Sequence, residues 1–101
     1  MRFVYNTTFH LPDSMENIFK EHIQKYTLPY LREEGVDFES LFTRVHVEQE
    51  EGRAFSLQLI FPTEKEYNKF LNQYRDDIFE DLHIRHGNQV LYFNTLLEEI
   101  C

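Results

Sequence analysis

Residues 40–61 read S-L-F-T-R-V-H-V-E-Q-E-E-G-R-A-F-S-L-Q-L-I-F. Apolar and polar side chains alternate over 40–49 and again over 54–61, the period of a strand with one buried face. Between them, E-E-G-R at 50–53 supplies a hairpin turn. What flanks this hairpin decides the fold.

Ahead of it, residues 2–10 (R-F-V-Y-N-T-T-F-H) are rich in β-branched and aromatic types and read as a strand, ended by Leu11-Pro12. Asp13 followed by Glu16 fits a capping box at a helix start. Met15, Ile18, Phe19, His22, Ile23 and Tyr26 then recur at spacings of three and four, the mark of an amphipathic helix. Pro29 falls inside the pattern and predicts a kink or break before Tyr30-Leu31, and Gly35 closes the segment. After the hairpin, Pro62-Thr63 with Glu66 opens a second helix whose inner stripe is Tyr67, Phe70, Leu71, Tyr74, Ile78 and Leu82. Gly87 ends it, and residues 89–97 (Q-V-L-Y-F-N-T-L-L) form a last strand.

The order is β-α-β-β-α-β. With short connections and right-handed crossovers this predicts an α+β, ferredoxin-like fold: a four-stranded antiparallel sheet with two helices on one face. The 101 residues suit one domain over 1–101, without repeats or linkers. Ten Phe and six Tyr provide bulk for a core.

A formal charge of −8 with no offsetting basic patch excludes nucleic acid as an expected partner. The single cysteine, Cys101, rules out a disulfide framework within the chain and suits a reducing cytoplasm. No apolar run approaches the ~20 residues of a membrane span, and the N-terminus has no secretory apolar region. The expected location is cytoplasmic.

Taken strand by strand, one set of alternating residues is apolar: Phe3, Tyr5 and Phe9; Leu41, Val45 and Val47; Phe55, Leu57, Leu59 and Phe61; Leu91, Phe93 and Leu97. It is expected under the helices. The opposite set mixes polar and apolar types, with Asn6, His10, Phe42, Arg44, His46, Gln58, Ile60, Val90, Tyr92, Asn94 and Leu96 among them. A solvated face would carry Lys, Glu and Thr, so this face is expected to meet a second copy in a two-fold dimer or to enclose a semi-polar cavity.

The chemical candidates are few. Neither Ser40 nor Ser56 stands in a nucleophile elbow, and no Gly-rich phosphate loop is present. Glu80, His83 and His86 in E-D-L-H-I-R-H form an E-x-x-H-x-x-H spacing, but they spiral across a helix surface and lack ligands from another element. This stretch is expected to be helix termination, with histidine near the helix C-terminal dipole. No metal and no cofactor is expected, and no catalytic residue is assigned. The acidic runs Glu48/Glu50/Glu51 and Asp76/Asp77/Glu80/Asp81 are expected to be solvated. The candidate ligand-binding residues are Tyr5, His22 and Tyr26 between sheet and first helix, and Asn6, Arg44, Gln58, Tyr92 and Asn94 on the mixed face.

With Y5-N6-T7-T8, the Pro29-containing helix end and Y92-F93-N94-T95-L96 in view, the chain resembles the dimeric α+β-barrel superfamily, and within it a domain-of-unknown-function branch. The resemblance implies two ferredoxin-like protomers packed sheet to sheet, with sites between sheet and helices. That superfamily includes small monooxygenases, isomerases, haem-handling enzymes and ligand-binding stress proteins. A histidine often stands two residues before the helix-end proline; here Thr27 takes that place, so no catalytic role is carried over. The expected function is a homodimeric small-molecule or protein-binding module, with a cofactor-free monooxygenase or isomerase as the alternative. An amino-acid-sensing regulatory module shares the topology, but its glycine-containing first turn is replaced here by L11-P12-D13-S14.

Overall fold

The computed structural model describes residues 1–46 and 52–101. Residues 47–49 of the predicted preceding strand and 50–51 of the predicted turn thus fall outside the described residues, Val47 and the acidic run at Glu48, Glu50 and Glu51 among them. Strands β1 (Phe3–Leu11), β2 (Glu39–Val45), β3 (Arg53–Phe61) and β4 (Leu91–Glu98) form one antiparallel sheet in the order β2-β3-β1-β4. The central pair runs in continuous register from Phe3 opposite Phe61 to Leu11 opposite Arg53. The fold is α+β and ferredoxin-like.

Each stretch expected as one helix is two. Between β1 and β2 come a 3-10 turn (Asp13–Met15), α1 (Glu16–His22), a π-helical turn (Ile23–Thr27) and α2 (Leu28–Glu33). Pro29 explains the π turn. It has no N–H to offer the carbonyl of Lys25, and its ring crowds that carbonyl. The chain absorbs one extra residue there, and the Leu28 N–H donates to the Ile23 carbonyl five residues back. Between β3 and β4, α3 (Glu64–Gln73) and α4 (Arg75–His86) are separated at Tyr74, whose φ of −125° and ψ of −28° leave the helical region. The break resets the buried stripe, from Tyr67 and Phe70 on α3 to Ile78, Phe79, Leu82 and His86 on α4.

Caps follow the sequence at one end only. The Thr63 hydroxyl accepts from the Glu66 N–H at 3.2 Å, as a capping box requires. The predicted cap at Asp13 does not form, because arginines on the sheet take the carboxylates. Asp13 and Glu16 accept from Arg53 at 3.0 and 3.1 Å, and Glu16 also from Arg44 at 2.9 Å. Gly87 stops α4 at φ 64°, where a side chain would be strained.

The register corrects the sequence reading in both edge strands. Paired residues of an antiparallel sheet share a face. Phe55, Leu57 and Leu59 are buried under the helices, and their partners are Arg44, Phe42 and Ser40. Tyr5, Thr7 and Phe9 pair with Leu96, Asn94 and Tyr92. So Phe42, Arg44, Tyr92, Asn94 and Leu96 lie on the helix side, and Leu41, Val45, Leu91, Phe93 and Leu97 lie on the open side, the reverse of the expectation. Ring contacts agree: Phe42 meets Phe19 of α1 at 6.0 Å, and Tyr92 stacks on Phe79 of α4 at 4.6 Å. The cause is that these edge strands are apolar at consecutive positions, so alternation does not choose a face, whereas β1 alternates over Tyr5–Leu11 and β3 over Phe55–Leu59.

The core is an aromatic stack between helices and central strands. Phe19 is wholly buried, with ring contacts to Phe9, Phe42 and Phe55 at 4.8, 6.0 and 5.7 Å. Phe70 does the same for Tyr5 and Phe61 at 5.2 Å each. Among the described residues, no helix is long and apolar enough to cross a membrane.

Candidate functional site

His22 ends α1 and His86 ends α4, both on inner stripes, and they meet where the two helices touch. The residues are 3% and 6% exposed. His22 Nδ1 lies 2.8 Å from His86 Nε2, and His22 Nε2 lies 2.8 Å from Asp81 Oδ2. The second carboxylate oxygen of Asp81 accepts from Arg85 Nε at 3.4 Å.

Donor and acceptor chemistry fixes the protons of the neutral pair. A carboxylate only accepts, so His22 must donate from Nε2. Neutral His22 then has a lone pair at Nδ1, and His86 must donate to it from Nε2. The bonds run in one direction, from His86 to His22 to Asp81, and leave His86 Nδ1 as a bare lone pair. Among the described residues, that nitrogen is the buried side-chain polar atom with no hydrogen-bond partner. Buried polar groups are rarely left so.

The electrostatics match this arrangement. Burial first, then the nearby His22 and Arg85, hold the His86 imidazole below its ordinary value of 6.5, against a smaller opposing pull from Asp81. Burial pushes the Asp81 carboxyl up, but the hydrogen bonds and charges of His22 and Arg85 prevail and leave it below 3.8.

These directions set a pH dependence of stability. The folded chain resists protonation at His86, so the unfolded chain takes up that proton first as pH falls below 6.5. Stability present above that pH is lost as pH falls through the lower folded value. Asp81 adds a further loss below the ordinary carboxylate range. Urea unfolding followed from pH 8 to 5 should show stability falling below pH 6.5, with a slope of at most about 1.4 kcal/mol per pH unit for the His86 proton. His86→Gln, which keeps a donor for His22 but does not titrate there, should flatten that window. An unchanged slope would contradict the assignment.

Two grooves open beside this cluster. One, of about 360 Å³, is lined by Ile18, Glu21, His22, Tyr26, Arg85 and His86. The other, of about 320 Å³, lies between the π turn and α4 against Tyr26, Tyr30, Asp77, Asp81 and Arg85. Their shared wall is the Arg85 guanidinium stacked over the Tyr26 ring at 4.8 Å. Both volumes fall within the range of about 300–1,000 Å³ common for small-molecule sites. The π turn places Tyr26 and Thr27 at this wall, so the extra residue that Pro29 imposes on the helix is located at the site.

Of the sequence candidates, His22 and Tyr26 stand together, their rings 5.9 Å apart. Tyr5 is in the core under Phe70 and Phe79, where burial pushes its hydroxyl up to about 12. Asn6 and Gln58 pair across the central strands on the open face, and Ser56 donates to Asn6 at 2.8 Å. Arg44, Tyr92 and Asn94 are on the helix side instead. Arg44 is paired with Glu16, and Asn94 accepts from the Thr7 hydroxyl at 2.7 Å.

Sequence reasoning missed Asp81 and His86 as partners of His22. Asp81 stood in an acidic run expected to be solvated, and His86 was expected only to stand where the helix ends, near its C-terminal dipole. Glu80 and His83 are exposed, so the E-x-x-H-x-x-H spacing does not converge. The available signal was a pair of histidines on the inner stripes of two helices packed on one sheet. A buried histidine needs a partner, and each is the other's.

Comparison with known proteins places this geometry among relatives. A family model described as Domain of unknown function (DUF4286) matches residues 2–100. No curated protein matches the chain. A dimeric ferredoxin-like protein from an uncultured marine organism aligns over 98% of both chains, with a TM-score of 0.76 and 13% identity. An ethyl tert-butyl ether D (EthD) family protein from Bacillus halodurans covers 99% of this chain and 100% of its own, with a TM-score of 0.71 and 13% identity. A monooxygenase of Streptomyces coelicolor, solved with the ligand Nanaomycin D, covers 98% of this chain and 89% of its own, with a TM-score of 0.54 and 14% identity. At such identities these likenesses show the shared fold.

Proposed function

The chain belongs to the family described as Domain of unknown function (DUF4286), and from that premise we propose that it is a homodimer that binds a small molecule. The observation that carries the reading is the Asp81–His22–His86 row beside two grooves. A buried polar row of this kind costs desolvation that an apolar core would not, and two of its members, His22 and His86, line a groove of ligand size.

The open sheet face supports the dimer. Leu41, Val45, Leu91, Phe93 and Leu97 stand 36–64% exposed there, around a polar centre of Asn6, Ser56 and Gln58. The chain carries a formal charge of −8, yet among the described residues of this face the charged side chains, Glu39, Arg2 and Glu99, stand together at one rim and pair with one another. Depletion of charge with exposed apolar bulk is the composition of an interface core. Two copies joined on this face would give a dimeric α+β barrel of βαββαβ protomers with the helices outside, and Asn6 and Gln58 would line the space between the sheets. The lone cysteine suits a cytoplasmic setting as part of the same proposal.

A second reading, a cofactor-free monooxygenase or isomerase, is favoured by one observation: a carboxylate orients His22 at a groove wall. The fold neighbour named a monooxygenase points the same way. Titration with small aromatic compounds, followed at the imidazole NMR signals, tests the binding reading. Saturable shifts at His22 and His86 are the expected result, and silence at both would count against it.

A further inference from the structure

We propose that the two copies join edge to edge as well as face to face, through an antiparallel pairing of β4 with the partner's β4 centred on Asn94. This rests on the reading of the open face as a dimer interface and adds which edge closes the barrel, and in what register.

The backbone of β4 sets which groups need a partner. β4 lies at an edge of the sheet, and among the described residues it pairs with β1 alone. Just past its end the Glu99 N–H donates to the Arg2 carbonyl at 2.8 Å, continuing the register that sets Phe3 opposite Glu98. Hydrogen-bonded pairs alternate along an antiparallel ladder, so Leu97, Thr95, Phe93 and Leu91 point their N–H and C=O groups at β1. Tyr92, Asn94 and Leu96 point theirs away from the sheet. Proteins usually blunt such an edge with charge, proline or a bulge. Residues 91–97 hold no charged residue and no proline, and their register against β1 is unbroken. The opposite edge strand, β2, carries Glu39 and Arg44. The edge left open to another strand is therefore β4.

The sequence of β4 is complementary to itself. Only groups that point outward pair across the edge, so even-numbered positions meet even-numbered ones. With Asn94 opposite its own copy, Tyr92 meets the partner's Leu96 on the helix side, and Leu91 meets the partner's Leu97 on the open side. These four side chains are 43–64% exposed in the single protomer, and each gains an apolar cross-strand neighbour. Sliding the pairing by one step sets Tyr92 against the partner's Glu98 in one direction and against the partner's Asn94 in the other. One two-fold axis serves both contacts. An axis lying between the sheets and across the strands lays each β4 antiparallel along the other, at the rim of the packed faces. The edge pairing is thus continuous with Leu91, Phe93 and Leu97 of the open face.

Amide hydrogen exchange tests the pairing, because it separates the two halves of the ladder. In the dimer the Tyr92, Asn94 and Leu96 amides should exchange as slowly as those of Phe93, Thr95 and Leu97. In monomeric Phe93→Glu the first three should exchange freely. Leu96→Pro removes one outward donor and leaves the β1 ladder intact, since an edge strand accepts proline there. It should raise the dissociation constant about ten-fold beyond Leu96→Ala, which keeps the N–H. If Leu96→Pro folds poorly, the exchange measurement decides alone. Free exchange at Tyr92, Asn94 and Leu96 in a chain that light scattering finds dimeric would overturn the edge pairing and leave the face contact standing. A parent of one chain mass at micromolar concentration would overturn both.

Discussion

Phe19→Ala should lower stability by about 3–5 kcal/mol, the range for emptying a fully buried phenylalanine site. Phe19 has no exposed surface and joins three strands, with rings of Phe9 on β1, Phe55 on β3 and Phe42 on β2 all within 6.0 Å. Its edge also faces His86 at 6.0 Å, so the cavity would open beside the histidine pair. Total stability for a domain of this size is about 5–15 kcal/mol, so the loss is a large share of it. In urea the midpoint should fall by more than about 1 M. Ile18, the neighbour on the same helix, is 62% exposed, and Ile18→Ala should stay within about 0.5 kcal/mol. Comparable losses for the two variants would show that α1 does not pack as described.

Phe93→Glu should split the proposed dimer without unfolding the chain. Phe93 is 56% exposed in the single protomer and stacks on His10 at 6.2 Å on the open face. A two-fold interface repeats every change, so each dimer would bury two carboxylates among Leu41, Val45, Leu91 and Leu97. Burying an uncompensated ion costs several kcal/mol, so the dissociation constant should rise by at least about a thousand-fold. Light scattering at micromolar concentration should give twice the 12.4 kDa chain for the parent and one chain mass for the variant. Asn72→Glu, on an exposed helix position, should leave the dimer intact. A monomeric parent would remove the dimer and the explanation of the uncharged sheet face.

How much of this the sequence disclosed depended on how locally each feature is encoded. The antiparallel pairing of the four strands and both central strands follow from alternation and turn residues, which act over a few positions. Pro29 announced a disturbance, but its form as a π turn depends on how the Lys25 carbonyl and the Leu28 N–H find other partners. The break at Tyr74 had no proline or glycine to mark it. In β2 and β4 the apolar residues run consecutively, as in Leu41-Phe42 and Leu96-Leu97, so only pairing with β1 and β3 decided the faces.

The site divides the same way. His22 was visible because it interrupts an apolar stripe. Its partners come from residues 59 and 64 positions away, and nothing local links them to it. Asp81 has the look of a solvated acid, and 47% of its side chain is indeed exposed; one of its oxygens is nevertheless committed to a buried histidine. Such pairings are set by tertiary packing.

The proton order in the row is the claim on which the site rests, and imidazole nitrogen NMR at pH 8 measures it directly. There His22 and His86 should both carry their proton on Nε2, with both Nδ1 atoms unprotonated and a scalar coupling across the His86 Nε2–H to His22 Nδ1 bond. A proton found on His22 Nδ1 at that pH, or on His86 Nδ1, would reverse the row and contradict the account.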